Sequence, residues 1–201
     1  MTVTIDGTSG ITFPAGGTGN PAGAVVGTTD TQTLSSKTIQ GGAITSGTAV
    51  ASTSGATITF TSLPSWVKRI SLLLYNVSTT GTSGYKVLIG PVAGVETTTY
   101  LGEADTQDGG TNANISTSFY VIGSGSLSAA SVIQGRVELY NHSSNIWVCS
   151  SHLGRSDATG TGSSFYCAGS KSLAGVLTQV QLSTGNGTDT FDAGSINILY
   201  E

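Results

Sequence analysis

The sequence predicts an all-β protein: an antiparallel β-sandwich or jelly roll of about nine strands, preceded by an extended N-terminal arm. Glycine supplies 29 of the 201 residues, and charged residues make up only 9%, against about 25% in an average soluble protein. Exposed helix faces are normally built from charged and long polar side chains, so this deficit argues against helices. Short apolar segments alternate with clusters of Gly, Asn, Asp and Ser, which are typical turn residues.

Residues 1–45 differ in composition from the rest of the chain. They contain one aromatic residue, Phe13, and three charged residues. This segment has too few large side chains to form a core of its own. It is either a flexible Gly/Ser-rich tail or an extended arm that becomes ordered on a partner, and its spaced apolar residues favour the arm. The candidate anchoring residues are Ile11, Phe13, Val25, Val26, Leu34 and Ile39.

Residues 46–201 are predicted to form the β-sandwich domain. The pattern of apolar residues and turn residues indicates strands at 57–61, 67–76, 85–90, 117–122, 133–141, 146–153, 164–168, 176–183 and 195–200. No segment combines helix caps with a sustained 3.6-residue period. The nearest helix candidate, residues 126–134, is interpreted as a loop that enters a strand.

Two hairpins are predicted around the strand at residues 146–153. Residues 141–145 form a polar connection to the preceding strand. Pairing with the following strand about Ala158 places Cys149 opposite Cys167. We expect these two cysteines to be close neighbours with free thiols, because the N-terminus shows no secretory signal and synthesis is expected in a reducing compartment.

The composition argues against several classes of function. Seven basic residues against eleven acidic ones give a net charge of −4, so no basic stripe for nucleic acid is expected. The longest strongly apolar run, residues 70–75, is too short to span a membrane. His142 and His152 lack a catalytic context and are expected in a hairpin loop and at a strand end. The expectation is therefore a protein that is not an enzyme, with no cofactor and no metal.

One polar loop and one aromatic residue are weaker candidates for binding. Asp105, Asp108, Asn112 and Asn114 surround a Gly-Gly turn; such side chains suit Ca²⁺, but ordinary turns also use them. With Trp147, the first three of these residues are the candidate glycan contacts. Trp147 is expected to be exposed because Ile146 and Val148 occupy the opposite face of its strand.

Several segments resemble virion proteins of tailed bacteriophages. Gly7-Thr-Ser-Gly-Ile-Thr-Phe-Pro14 resembles a phrase found near the start of phage fibre and tail-associated proteins. The run Val26-Gly-Thr-Thr-Asp-Thr-Gln-Thr-Leu-Ser-Ser-Lys-Thr-Ile39 is similar to an element of phage virion proteins. Residues 47–55 and 63–70 resemble a domain at the C-terminal side of phage fibres. The resemblance implies a homotrimeric, β-rich fibre or surface protein and supplies no catalytic residues.

The expected function is that of a structural protein on the exterior of a tailed-phage virion, assembled in the host cytoplasm. It would be a trimeric head-fibre, decoration or short fibre protein that residues 1–45 anchor to capsid or tail proteins. Residues 46–201 would then expose the sandwich. The alternative is a tail-fibre receptor-binding tip that recognises host surface glycans, and the two roles can coexist. No nucleic-acid partner and no membrane insertion are expected.

Overall fold

The computed structural model describes residues 4–6, 10–12, 44–106, 113–114, 116–123, 127–157 and 162–201. The chain divides into two units, Met1–Gln40 and Gly41–Glu201. In the first unit, β1 (Thr4–Asp6) pairs antiparallel with β2 (Gly10–Thr12), and Ile5 lies opposite Ile11. The predicted boundary near residue 45 and the anchoring role of this region stay predictions. Of the candidate anchoring residues, Phe13, Val25, Val26, Leu34 and Ile39 lie outside the described residues.

The second unit is built from strands alone within the described residues, which confirms the all-β sandwich prediction. The strands are β3 (Thr45–Ser46), β4 (Val50–Ala51), β5 (Thr57–Phe60), β6 (Arg69–Thr79), β7 (Tyr85–Gly90), β8 (Tyr100–Thr106), β9 (Ala113–Asn114), β10 (Phe119–Tyr120), β11 (Val132–Ser143), β12 (Ile146–Ser156), β13 (Ser163–Ser172), β14 (Gln179–Thr184) and β15 (Phe191–Tyr200). No helix long and apolar enough to cross a membrane occurs in the described part of the chain.

The strands form two antiparallel sheets. The larger sheet has the order β3-β15-β6-β11-β12-β13-β8-β9, and β4 also pairs with β15. The smaller sheet has the order β10-β7-β14-β5. Apolar side chains of both sheets form one hydrophobic core, whose largest fully buried members are Tyr85, Tyr100, Phe119, Phe165, Phe191, Ile70, Leu72, Ile89, Ile122, Ile133 and Leu139. Burying alternate side chains of each strand in this shared core stabilises the fold.

The strand β8 was not predicted from the sequence. Its inward positions are Tyr100, Gly102 and Ala104, so the strand carries one large apolar side chain there. Gly102 lies opposite Gly169 of β13. A side chain at Gly169 would press on the ring of Phe119, which packs edge-on against Tyr100 with ring centroids 4.8 Å apart. Gly169 thus makes room for an aromatic ring supplied by the facing sheet, whereas a Cβ at Gly102 would collide with the backbone of Ala168 and Gly169.

The predicted register of the β12–β13 hairpin is wrong by two residues. Cys149 lies opposite Gly169, and Cys167 lies opposite Ser151, because the pairing is centred one residue further along the chain than Ala158. The two cysteines are therefore diagonal neighbours on the inner face, and both are free and buried. Burial, followed by the contact with Cys167, raises the pKa of the Cys149 thiol.

Candidate functional site on the exposed face of the larger sheet

The outer face of the larger sheet carries two distinct surface regions. Side chains alternate between the two faces of a strand, and the smaller sheet covers only the inner face. On the outer face, strand registers place Leu73 beside Arg136, Arg136 beside His152, and His152 beside Tyr166. Four residues away along the strands, Arg69 lies beside Tyr140 and Tyr140 lies beside Val148. At about 3.4 Å per residue, these two rows are about 13 Å apart.

The first region is the apolar patch, which consists of Leu101, Tyr140, Ile146 and Val148. These side chains lie on β8, β11 and β12 and surround Ser170 of β13, which is opposite both Val148 and Leu101. Each of them is more than a third exposed, and Leu101 is 68% exposed. The cation of Arg69 lies 5.6 Å from the centre of the Tyr140 ring and borders the patch.

The second region is a shallow groove of about 530 Å³, lined by Leu73, Leu74, Gln134, Gly135, Arg136, His152 and Gly154. It forms where the pairing of β11 with β6 shifts register. Asn76 of β6 (φ 52°), Gly135 of β11 (φ 129°) and Gly194 of β15 (φ 90°) all have positive φ on adjacent strands. Such bulges bend a strand and often occur beside binding sites. The irregular backbone therefore makes a concavity in an otherwise continuous sheet.

A buried carboxylate separates the two regions. Glu138 lies on the outer face but is only 6% exposed. One of its oxygens accepts hydrogen bonds from Arg69 Nε at 3.1 Å and from Ser71 Oγ at 2.8 Å, and the other lies 3.4 Å from Arg136 Nε. Arg69 also donates to Glu201 at 3.0 Å. The hydrogen bond to Glu138, with a second one to Glu201, raises the pKa of Arg69.

The imidazole of His152, which lines the groove, packs against an aromatic ring of β13. Its ring stacks on Tyr166 with centroids 4.8 Å apart and an interplanar angle of 23°. The predicted strand-end position of His152 is wrong, since it lies within β12. His142 lies near the end of β11 rather than in the loop, with Nδ1 3.1 Å from Ser143 Oγ.

A second ion pair is buried on the inner face beneath the apolar patch. Lys171 of β13 contacts Glu96 Oε2 at 2.5 Å and donates to Thr99 Oγ1 and to the Ser172 carbonyl oxygen, both at 2.9 Å. The other Glu96 oxygen accepts from the Ala174 amide at 2.7 Å. Glu96 therefore ties the loop between β7 and β8 to the segment that follows β13.

The structure corrects one predicted glycan contact and leaves others untested. Trp147 is 3% exposed and lies in the core, so its expected exposure is wrong and its ring offers no surface to a sugar. Its position opposite Ile146 and Val148 is confirmed, but those two side chains are the exposed ones. The backbone of Asp105 lies opposite Tyr166, whereas Asp108 and Asn112 are outside the described residues. Among the described residues, no cluster of three metal-ligating side chains occurs.

The sequence did not single out the residues that line the groove. The alternation of side chains along β11 does indicate from the sequence that Gln134, Arg136, Glu138 and Tyr140 share one face. The missing information was the register that brings Arg136 beside His152 and the bulge that opens the sheet there. No known protein family, curated protein or solved structure matches this chain.

Proposed function

We propose that this chain is a structural protein of a tailed-phage virion, a trimeric head-fibre, decoration or short fibre protein. Residues 1–45 anchor it to the particle, and residues 46–201 expose the β-sandwich. The segments at 7–14, 26–39, 47–55 and 63–70 support the assignment to a virion through their resemblance to phage proteins. The apolar patch supports self-assembly and is the observation that carries the proposal.

The apolar patch fits a contact between copies better than a surface that stays in water. Monomeric proteins rarely expose apolar patches larger than a few hundred Å² without a function for them, and this patch brings Tyr140, Ile146 and Val148 together on two adjacent strands, with Leu101 on the far side of Ser170. The cation of Arg69 borders the patch, in a chain that carries only 18 charged side chains at neutral pH. In the proposed trimer, the patches of three copies lie around the threefold axis and are removed from water there.

The oligomeric state of the full-length protein tests the contact. Sedimentation equilibrium is expected to give three times the chain mass of 20.2 kDa. Val148→Lys places a charge in the patch and is expected to lower the mass to that of one chain. The control is Val92→Lys, because Val92 is 87% exposed in the loop between β7 and β8. A monomeric wild type at every concentration, or a trimeric Val148→Lys variant, contradicts the proposed contact.

The position of the protein on the particle tests the virion assignment. Antibodies against residues 46–201 are expected to label the exterior of intact particles in electron micrographs, either on the head or on the tail. A chain lacking residues 1–45 is expected to remain trimeric and to be absent from the particles. Particles without any label contradict the virion assignment even if the trimer forms in solution.

The groove favours a second function, the recognition of host surface glycans. It combines the charged and polar side chains of Arg136, Gln134 and His152 with the apolar surface of Leu73. Its volume of about 530 Å³ lies within the range typical of ligand sites. It also lies about 13 Å from the apolar patch, so that a trimer formed through the patch leaves it open. Adsorption of the full-length protein to host cells, abolished by enzymatic removal of surface glycans, is the expected result.

A further inference from the structure

We infer that the groove is a binding site for carboxylate-bearing saccharide chains, an inference that rests on the second function proposed above and names its ligand class. The ligand's carboxylate pairs with Arg136, its hydroxyl groups bond to Gln134 and His152, and its C–H face lies against Leu73. Three features of the groove support this assignment. Its floor carries no side chain at Gly154, the guanidinium of Arg136 is bound only through Nε among the described residues, and the groove lies over strands that are paired on both sides.

The floor of the groove is open because a glycine occupies an outward position where the backbone does not require one. Gly154 lies on β12 opposite Gln134. A Cβ built on Gly154 would have the Gln134 carbonyl oxygen as its nearest neighbour, at 4.0 Å. A side chain therefore fits at this position, and its absence leaves room for a ligand. Gly135 is different, because its positive φ and the nearby His152 carbonyl oxygen both exclude a side chain.

Arg136 is positioned to bind an anion that comes from solvent. Glu138 lies 3.4 Å from its Nε, but Arg69 and Ser71 make shorter contacts with the same carboxylate. No other carboxylate among the described residues forms an ion pair with Arg136, and its side chain is 62% exposed. A guanidinium held at Nε still presents its two terminal nitrogens, which match the geometry of a carboxylate.

The position of the groove excludes two other ligand classes. A peptide that binds by strand addition needs a free sheet edge, but the groove lies over β6, β11 and β12, which are paired on both sides. A nucleic acid needs a row of cations, whereas Arg136 is followed on the same face by the buried Glu138. A polymer that is neither an added strand nor a nucleic acid must be recognised by side chains alone, through both polar and apolar contacts. A saccharide with a carboxylate meets this description.

Isothermal titration of the full-length protein tests the inference, with tetragalacturonate as the acidic probe and maltotetraose as the neutral one. Tetragalacturonate is expected to bind and maltotetraose to bind at least tenfold more weakly. Arg136→Gln is expected to weaken binding of the acid by about tenfold or more. Gly154→Val fills the floor with a residue that strands favour and is expected to abolish binding. The matched control, Ala168→Val, lies exposed on the same face in β13, outside both the groove and the apolar patch, and is expected to bind like the wild type.

The possible failures are distinguishable from one another. Equal binding of both probes, lost in Gly154→Val but retained in Arg136→Gln, overturns the carboxylate specificity and leaves glycan recognition intact. Binding of tetragalacturonate that survives both substitutions overturns the assignment to this groove. Absence of binding to either probe overturns the inference, and glycan-dependent cell adsorption then decides whether the second function survives at another site. Circular dichroism and thermal melting of each variant verify that the sandwich is folded.

Discussion

The apolar patch and the groove share one face of the larger sheet, yet the backbone beneath them is different. Under the patch, β12, β13 and β8 pair in regular register, and the single register shift of β11 with β12, between Asn141 and Ser143, lies at its edge. At the groove, positive φ angles at Asn76, Gly135 and Gly194 interrupt the regular pairing. Regular pairing yields a flat surface that suits another copy of the chain, whereas a bulge and glycines yield a concavity that suits a smaller ligand.

The interactions that stabilise the sheet beneath the two regions also differ. Beneath the patch, Lys171 and Glu96 form an ion pair whose lysine is almost completely buried. The groove is shaped by the register shift between β6 and β11, and Asp189, in the loop between β14 and β15, accepts a hydrogen bond from the Ser83 amide at 2.9 Å. The patch therefore depends on a buried charge, and the groove depends on backbone conformation. Substitutions that remove one of these interactions at a time test whether the two regions are stabilised independently.

The largest effect is expected from Glu96→Ala. This substitution leaves the Lys171 ammonium group buried without its counter-charge, which costs about 3 kcal/mol in the free energy of unfolding. Urea denaturation at a fixed protein concentration measures the loss. Glu103→Ala is the control, because Glu103 is exposed on β8 and forms no ion pair among the described residues; a change within about 0.5 kcal/mol is expected.

The double variant Glu96→Ala with Lys171→Met distinguishes a stranded charge from lost packing. Replacing both charges with apolar groups is expected to recover much of the stability, since the methionine needs no partner. A double variant as unstable as Glu96→Ala alone would show that the carboxylate matters through its bond to the Ala174 amide rather than through Lys171.

Gly135→Ala is the next largest perturbation and acts on the groove. The new Cβ would collide with the His152 carbonyl oxygen and would sit on a residue with φ 129°. The expected cost is about 2 kcal/mol in the free energy of unfolding, with loss of saccharide binding and an unchanged oligomeric state. Urea denaturation, titration with tetragalacturonate and sedimentation measure these three properties in turn. A variant that no longer forms trimers but still binds the saccharide would contradict the assignment of self-assembly to the apolar patch and of ligand binding to the groove.

Protonation of Glu96 is expected to contribute more to the pH dependence of the free energy of unfolding than protonation of Asp189. Partial burial alone would raise the pKa of Glu96, but hydrogen bonds from Lys171 and the Ala174 amide and the Lys171 charge lower it below the ordinary value of 4.5. A carboxylate with a lowered folded pKa stabilises the fold above its unfolded pKa, and this contribution disappears as the pH falls through the folded value. Stability is therefore expected to decrease below about pH 4.5.

Two variants identify the carboxylate that is responsible for the loss of stability in acid. Hydrogen bonds from the Asn186 side chain and the Ser83 amide lower the pKa of Asp189, but this group is exposed to solvent. Glu96→Gln is expected to flatten the acid limb of the stability curve, and Asp189→Asn is expected to flatten it less. An acid limb unchanged in Glu96→Gln would assign the pH dependence to other carboxylates.

The sequence predicted the sandwich well because most of its strands alternate in the simplest way. All nine predicted strands occur, and β7 has the predicted bounds, since Tyr85–Gly90 lies between clear turn segments. Alternation failed for β8, where Gly102 and Ala104 occupy positions that usually carry large apolar residues. The assignment of faces failed for β12, because both faces of this strand carry apolar side chains. Only the tertiary structure decides that Trp147 rather than Val148 is buried.

The two surface regions were beyond sequence reasoning for a related reason. Each depends on register, and register is set by turn geometry and bulges. An error of two residues separated Cys149 from its actual partner, Gly169. The same uncertainty hid the cross-strand pairing of Arg136 with His152. Asn76 gave no sign of a bulge, because it follows the continuous apolar run Leu72–Tyr75, which reads as an uninterrupted strand.

The smallest stability change, and the sharpest contrast with Gly135, is expected from Gly154→Ala. Gly154 has no positive φ, and the nearest atom to its Cβ would be 4.0 Å away. Alanine also restricts the unfolded chain more than glycine, so the variant is expected to be as stable as the wild type or about 0.5 kcal/mol more stable. Urea denaturation measures this, and titration with tetragalacturonate is expected to show weaker binding because a methyl group enters the floor. A loss above about 1 kcal/mol would mean that folding requires this glycine, and the open floor would then be a consequence of the backbone rather than a feature of a binding site.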